Sequence, residues 1–292
     1  MNKLQTDGII FDVDGTLWDT TPVVAEAWNT VLDSMNRDYR SRHLPPLHLI
    51  HPEGGGSGAR INSEDLRREF GKPLETIADD LLPDLPDAEK TDLLRQWYEA
   101  EEIAIDRNPP EPYEGLERTL QTLTGIDPRK SGESKAGLPR TKASHQLPPG
   151  IPCFIVSNCQ SGYIEQFLRL TGLGCYITAH LCPGDTDRLK AYNIYRIASQ
   201  YHLQNALYIG DIQADFDATK EADRLLKEET RQKQGNRCSD SSRNHCKAPY
   251  PSIRFLWASY GFGSVTDPDG IIRRICDLPD LIISSKTKAG HT

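Results

Sequence analysis

The sequence predicts an α/β fold built on a doubly wound parallel sheet. Short apolar runs of strand length occur at residues 8–12, 152–157, 176–181, 206–210 and 253–258. These runs lack the alternation of a half-exposed strand, and amphipathic stretches of helical length separate the later ones. Apolar strands without alternation, separated by helices, indicate a parallel, Rossmann-like sheet covered by helices on both faces.

A long segment after the first strand has a different pattern. Thr21-Pro22 is a typical helix start, and the apolar residues that follow keep helical spacing. Helical patterns also cover residues 63–82 and 87–106, and Pro109-Pro110 ends the last one. No strand pattern interrupts them, so this segment predicts an all-helical insertion.

These patterns divide the chain into domains. We expect a helical cap domain at residues 20–111, inserted into a core domain made of residues 1–19 and 112–292. Two polar stretches of the core, residues 125–150 and 225–251, are rich in Gly, Pro, Ser or charge. Such composition buries too little apolar surface to order itself, so we expect flexible insertions. Because both stretches are basic, a partner-binding site is the alternative.

Composition and charge narrow the class of function. The 292 residues carry a net charge of −8, which argues against a general binder of nucleic acid or anionic membranes. No apolar run approaches the ~20 residues that span a bilayer, and the N-terminus lacks a secretory signal pattern. Seven scattered cysteines without a CxxC pair indicate reduced thiols. We expect a cytoplasmic monomer or homodimer with no nucleic-acid or membrane partner.

The stretch GIIFDVDGT places two carboxylates at the end of an apolar strand. Asp12 and Asp14 are two residues apart, so in extended backbone they point the same way, and Gly15 permits a sharp turn after them. Like charges this close repel unless a cation or hydrogen bonds compensate. An EF-hand calcium loop would need a glutamate where Val23 stands, which excludes it. A plain turn with two solvated aspartates is the alternative.

A second strand runs into carboxylates in YIGDIQAD, where Asp211 follows the strand and Asp215 comes shortly after. Ligands of a doubly wound sheet bind at the carboxyl ends of its strands, so Asp12, Asp14 and Asp211 are expected to surround one cation. Oxygen ligands without a nearby His or Cys favour Mg²⁺. The alternative is that Asp211 only caps the next helix.

Two further polar features lie near later strands. Ser157 and Asn158 stand between a strand and a helix, where hydroxyl, amide and helix N–H groups hold phosphate. An ordinary helix cap is the alternative. Lys190 lies at the entrance of a helix and is suited to neutralise a phosphate and an attacking carboxylate. A solvated surface lysine is the alternative there, and Arg188 competes for the role.

In this order the motifs resemble those of the haloacid dehalogenase (HAD) superfamily. DVDGT, the strand ending in Ser157, Lys190 and then GDIQAD are similar to its four motifs. The resemblance is closest to phosphoglycolate phosphatase-like members, which carry a helical cap inserted after the first strand. It covers nearly the whole chain except the polar insertions. One departure is Lys190-Ala191, where the family commonly has Lys-Pro.

The resemblance implies a Mg²⁺-dependent phosphatase that acts on a small phosphorylated metabolite, phosphoglycolate-like or a sugar phosphate. It implies that Asp12 is the nucleophile that forms an aspartyl-phosphate, and that Asp14 is the general acid and then the general base. Mg²⁺ would bind Asp12, the backbone carbonyl of Asp14, and Asp211. Asp215 would not bind the metal directly but would support the groups that do.

The resemblance also implies a phosphate-binding set. Ser157, Asn158 and Lys190 would hold the phosphoryl oxygens, with help from Thr16. Three alternatives stay open: a phosphosugar mutase of the same fold, a dehalogenase that attacks carbon without metal, and a non-catalytic binding or regulatory protein. Phosphate release, halide release and an isomerised sugar phosphate are the products that separate them.

Overall fold

The computed structural model describes residues 3–50, 60–128, 148–237 and 250–285. The chain divides into two compact units. Met1–Leu17 and Tyr113–Thr292 form the first, which we call the core unit, and Trp18–Pro112 form the second, the helical unit. That the helical unit acts as a cap stays a prediction.

Parallel pairing organises the strands that the structure describes. They are β1 (Leu4–Thr6), β2 (Gly8–Phe11), β3 (Cys153–Val156), β4 (Ile177–Leu181), β5 (Asn205–Gly210), β6 (Ser252–Ala258), β7 (Gly270–Ile272) and β8 (Ile282–Ser284). Six of them form one parallel sheet in the order β4-β3-β2-β5-β6-β7, while β1 and β8 pair separately. The predicted fold class is confirmed. The sequence missed β1, β7 and β8, because three residues are too few to show a strand pattern.

Helices make up the rest of the regular structure. Those of the helical unit are α1 (Thr21–Ser41), α2 (Ser63–Glu69), α3 (Leu74–Leu81) and α4 (Asp87–Arg107). Those of the core unit are α5 (Leu116–Thr124), α6 (Tyr163–Thr171), α7 (Pro183–Thr186), α8 (Lys190–Gln200), α9 (Gln213–Arg237) and α10 (Leu278–Leu281). In the ranges given above, no helix combines the length and the apolar character needed to cross a membrane.

The central strands are buried on both faces. On one face Ile10, Phe154 and Tyr208 pack in a cluster that includes Ile194 of α8 and Leu226 of α9. Their neighbours along the strands point to the opposite face and are also fully buried, for example Ile9, Phe11, Ile155 and Leu207. This double burial is the physical reason why the strands show unbroken apolar runs in the sequence.

The structure corrects the single helical pattern expected over residues 63–82. The chain there forms two helices, α2 and α3, separated by a short break. Gly71 adopts a left-handed backbone with φ of +95°. Pro73 follows, and a proline disfavours helical backbone in the residue before it. The apolar spacing continues across the break, which is why periodicity alone does not reveal it.

The structure also changes the picture of the polar stretch at residues 225–251. Helix α9 continues into it as far as Arg237. Ion pairs one helical turn apart, Lys227–Asp223 at 2.5 Å and Lys233–Glu229 at 2.7 Å, support this extension. Residues 238–249, and residues 129–147 of the other predicted insertion, lie outside the described residues.

Candidate active site

Asp12 follows β2 at the middle of the parallel sheet. Its backbone N–H donates to the Ile209 carbonyl at 2.9 Å, which continues the ladder to β5. The residue is only 4% exposed. The chain then turns sharply: the Leu17 N–H donates to the Val13 carbonyl at 2.7 Å, and Gly15 has a left-handed φ of +75°. Strand β2 therefore delivers a carboxylate into the interior of the core unit at the carboxyl ends of the strands.

Asp211 occupies the corresponding position after the neighbouring strand β5. Its carboxylate is buried and accepts hydrogen bonds from the Phe262 N–H at 2.7 Å and the Thr16 hydroxyl at 3.3 Å. A Cβ atom added at Gly15 or at Gly261 would collide with the Asp211 side chain. Both positions therefore require glycine, because the backbone closes directly onto this carboxylate.

Lys190, the first residue of α8, connects two of the acids. It is 3% exposed, and its Nζ donates to Oδ1 of Asp12 at 2.9 Å and to Oδ1 of Asp215 at 2.6 Å. The other oxygen of Asp215 accepts the Asp211 N–H at 3.1 Å. Asp12, Lys190, Asp211 and Asp215 thus come together from distant segments, and we call them the Asp–Lys cluster.

The Asp–Lys cluster has more negative than positive charge. One oxygen from each of the three aspartates lies within 4.8 Å of the others, against a single lysine. Burial raises the pKa of Asp12 to about 6, although the Lys190 charge opposes the shift. Burial and the nearby carboxylates also raise the pKa of Asp211. Burial disfavours the charged form of Lys190, but Asp12 and Asp215 outweigh it and raise the pKa of the lysine.

The chemistry of the donor set fits a hard divalent cation. Three carboxylates converge in a buried place, and oxygen-only donor sets of this kind suit Mg²⁺ or a similar ion. A divalent cation would supply the positive charge that one lysine does not. The surplus of buried carboxylate is therefore the observation that points to metal binding.

Ser157 and Asn158, which follow β3, border the Asp–Lys cluster. Ser157 is 5% exposed, and its hydrogen bond to the Asp12 carboxylate favours the ionised form of that acid. Oδ1 of Asn158 accepts the backbone N–H of Lys190 at 3.2 Å. Asn158 therefore caps α8, a helix that begins more than 30 residues later in the chain. The roles of both residues in binding phosphate stay predictions.

The remaining predicted residues occupy different surroundings. Asp14 is half-buried, and its Oδ1 accepts a hydrogen bond from the Tyr163 hydroxyl at 2.6 Å. The hydroxyl of Thr16 contacts a carboxylate of the Asp–Lys cluster. Arg188, the competitor considered for the lysine role, is exposed and lies with its guanidinium 5.8 Å from the ring centre of Tyr192.

Sequence reasoning missed three contributors to the site. The Phe262 N–H and Gly261 support Asp211, and Tyr163 holds Asp14. A faint signal for the first two was the glycine-rich SYGFG after an apolar strand. Tyr163 stood in the stretch SNCQSGYIEQFL, but no sequence pattern pairs a helix-start tyrosine with an aspartate that follows another strand.

Comparison with known proteins places the chain in a family. The model of the haloacid dehalogenase-like hydrolases matches residues 6–223. A predicted phosphoglycolate phosphatase from Haemophilus somnus 129PT is 16% identical with a TM-score of 0.62, covering 96% of this chain and 99% of that one. A haloacid dehalogenase-like family hydrolase from Streptococcus pneumoniae is 14% identical with a TM-score of 0.59, covering 94% of this chain and 97% of that one.

At these identities the two structures show the shared fold, and no curated protein matches the chain. The family match spans Asp12 after β2, Lys190 at the start of α8, and Asp211 and Asp215 after β5, so it includes every member of the Asp–Lys cluster. This chain belongs to the haloacid dehalogenase-like hydrolases.

Proposed function

We propose that this hydrolase is a Mg²⁺-dependent phosphatase that cleaves a small phosphorylated metabolite through an aspartyl-phosphate on Asp12. The observation that carries the proposal is the charge of the Asp–Lys cluster, in which three buried carboxylates surround one lysine that pairs with two of them. The name of the Haemophilus somnus relative, a predicted phosphoglycolate phosphatase, agrees with it.

The metal would be held by residues at the ends of β2 and β5. Asp12 and Asp211 would supply carboxylate oxygens and Asp14 its backbone carbonyl, with Asp215 supporting the site. When bound, Mg²⁺ neutralises charge on the nucleophile and on the phosphoryl group. In the absence of metal, Lys190 carries part of this task, because its Nζ lies 2.9 Å from Oδ1 of Asp12.

The side chains divide the reaction into two displacements at phosphorus. An oxygen of Asp12 attacks the phosphorus, the P–O bond to the alcohol breaks, and Asp14 gives its proton to the departing oxygen. Water then attacks the same phosphorus, Asp14 accepts its proton, and the P–O bond to Asp12 breaks. Inorganic phosphate leaves, and both aspartates return to their starting states.

The phosphate-binding residues act on the charge that spreads over the phosphoryl oxygens. Lys190 is ionised because two carboxylates stabilise its charge, so it is suited to hold such an oxygen. Ser157, Asn158 and Thr16 belong to the same proposed set. We also propose that the helical unit is a cap that selects a phosphoglycolate-like ester or a sugar phosphate. A cytoplasmic location is part of the same proposal.

The test is a screen of small phosphomonoesters for phosphate release, with Mg²⁺ and with EDTA. We expect release with Mg²⁺, loss of release in EDTA, and a fall of at least about 1000-fold in Asp12→Asn. Asp280→Asn is the matched control, because it makes the same change at an exposed position of the core unit and should retain full activity.

The products separate the alternatives. Activity that persists in EDTA or in Asp12→Asn contradicts the proposal. An isomerised sugar phosphate without phosphate release indicates a mutase, and halide release from a haloacid indicates a dehalogenase. Binding of phosphorylated metabolites without turnover indicates a non-catalytic protein.

A further inference from the structure

We propose that Tyr163 is a positioning residue that orients the Asp14 carboxylate toward the leaving group of the ester. The inference rests on the proposed function, because it gives Asp14 a proton to deliver. Its basis is the hydrogen bond from the Tyr163 hydroxyl to Oδ1 of Asp14, at 2.6 Å. These residues come from different parts of the core unit, the turn after β2 and the start of α6.

Tyr163 is held firmly enough to act as a reference point. It is the first residue of α6 and is 7% exposed. Gly162 precedes it with a left-handed φ of +91°, a conformation that sets the direction in which the helix begins. Ile164 and Phe167 of the same helix are fully buried, so α6 is anchored to the core unit. A donor on an anchored helix restricts its acceptor better than one on a mobile loop.

Asp14 differs from the other acids in its burial and in its place in the chain. Asp12, Asp211 and Asp215 are buried and held by Lys190 or by backbone N–H groups. Asp14 is half-buried and lies in the turn that leads into Gly15. The hydrogen bond to Oδ1 restricts rotation of the carboxylate about its Cβ–Cγ bond. Proton transfer from Asp14 to the ester oxygen then has a fixed direction.

The need for this orientation depends on the leaving group. An alkoxide is a strong base and departs slowly unless an acid protonates it as the P–O bond breaks. The p-nitrophenolate anion is a weak base and departs without that help. Misplacing a catalytic group by about 1 Å can cost on the order of 100-fold in rate. Loss of the Tyr163 hydroxyl should therefore slow alkyl esters much more than p-nitrophenyl phosphate.

The experiment compares Tyr163→Phe with Tyr176→Phe on two esters. Tyr176 is also buried, and its hydroxyl bonds to the Glu117 carboxylate, but it lies just before β4, at the amino end of that strand. Each variant thus removes one hydroxyl from a buried tyrosine that faces an acid. The probes are p-nitrophenyl phosphate and the most reactive alkyl ester of the screen, with 2-phosphoglycolate tried first.

For Tyr163→Phe we expect kcat on the alkyl ester to fall by about 10- to 100-fold with KM nearly unchanged, and kcat/KM on p-nitrophenyl phosphate to fall by less than about 3-fold. Tyr176→Phe should leave the ratio between the two esters unchanged. In an Asp14→Asn background, Tyr163→Phe should have no further effect on the alkyl ester, because the group it positions is gone.

Each other outcome overturns the inference. An equal fall on both esters shows a general structural role, and no fall on either shows that Asp14 needs no positioning. A full additional loss in the Asp14→Asn background shows that Tyr163 acts independently of Asp14. If Tyr163→Phe lowers the amount of folded protein, the ratio between the two esters still tests the inference, because both esters are hydrolysed by the same folded fraction. Absence of phosphate release by the wild-type protein is a different result, because it contradicts the proposed function itself.

Discussion

Buried acids occur in both units of the molecule, but they are compensated in different ways. In the helical unit, Asp65 accepts the Asn62 N–H at 2.9 Å in a capping box, and Glu69 pairs with Lys72 at 2.7 Å. These partners lie three residues away along the chain, within or beside α2. In the core unit, three aspartates from two different segments lie together, and one lysine from a third segment pairs with two of them.

The difference separates buried acids whose charge is balanced by local partners from buried acids that keep a surplus of negative charge. A capping box satisfies backbone N–H groups at the start of a helix, and a neighbouring lysine balances one carboxylate. Both devices leave little charge uncompensated. The Asp–Lys cluster keeps surplus negative charge in a buried place, at a cost to stability, and such costs are typical of functional sites.

The largest expected effect comes from removing the positive charge from each group of acids. Lys190→Met should lower the free energy of unfolding by about 3–5 kcal/mol, because it leaves buried carboxylates without their cation. Lys72→Met should cost less, about 1–2 kcal/mol, because Lys72 is 41% exposed and water already screens its charge, although its partner Glu69 is buried. Urea unfolding without metal measures both, and equal losses would contradict the contrast between the two units.

A smaller effect tests how tightly the backbone encloses the Asp–Lys cluster. Gly15→Ala should cost about 3 kcal/mol and abolish phosphate release, because the new Cβ displaces Asp211 and strains a left-handed backbone. Gly125→Ala is the control, since Gly125 has a similar φ of +67° but its nearest neighbour lies at 3.5 Å. It should cost about 1 kcal/mol and leave activity intact. Similar losses in both variants would show that Asp211 is not enclosed.

Neutralising one acid in each unit should change the free energy of unfolding in opposite directions. Asp12→Asn should raise the free energy of unfolding of the metal-free protein by about 2 kcal/mol at pH 7.5, because burial opposes the charged form. The asparagine side chain can still accept a hydrogen bond from Lys190, and Lys190 keeps its ion pair with Asp215. Asp65→Asn should lower it by about 1 kcal/mol, because it weakens the capping box. Chemical unfolding of both variants measures these changes in the free energy of unfolding. Destabilisation by Asp12→Asn would contradict a surplus of negative charge in the Asp–Lys cluster.

The smallest expected effect is a pH dependence of the metal-free protein. The pKa of Asp12 is raised to about 6, so between the ordinary value and this one the folded state binds more protons than the unfolded state. Stability therefore decreases as pH rises through this window. Compared with Asp12→Asn, the wild type should gain about 1 kcal/mol between pH 7.5 and pH 5. Unfolding curves of both proteins at the two pH values measure this, and a parallel response would show that Asp12 does not cause it.

Much of the fold could be predicted because burial leaves a local trace in the sequence. The apolar runs at residues 8–12 and 206–210 became β2 and β5, which pair with one another in parallel. The break at Gly71 and the continuation of α9 to Arg237 were missed. The apolar spacing continues across the break, which the left-handed backbone of Gly71 makes, and the polar composition after residue 225 hid ion pairs that support the helix.

For the candidate site, the sequence predicted which acidic and polar residues follow the ends of the strands. The structure brings Asp12, Lys190, Asp211 and Asp215 together, while their catalytic roles stay predictions. The hydrogen bond between Tyr163 and Asp14 was not predictable, because it depends on how the start of α6 lies beside the turn after β2.

The sequence by itself determined the buried strands, the helical insertion and the acids at the strand ends, because spacing and hydrophobicity are properties of neighbouring residues. Only the tertiary structure decided that one lysine pairs with two carboxylates and that a tyrosine hydroxyl donates a hydrogen bond to Asp14. Charge balance and hydrogen bonding depend on distances of a few ångströms between segments far apart in the chain, and these distances exist only after the sheet has formed.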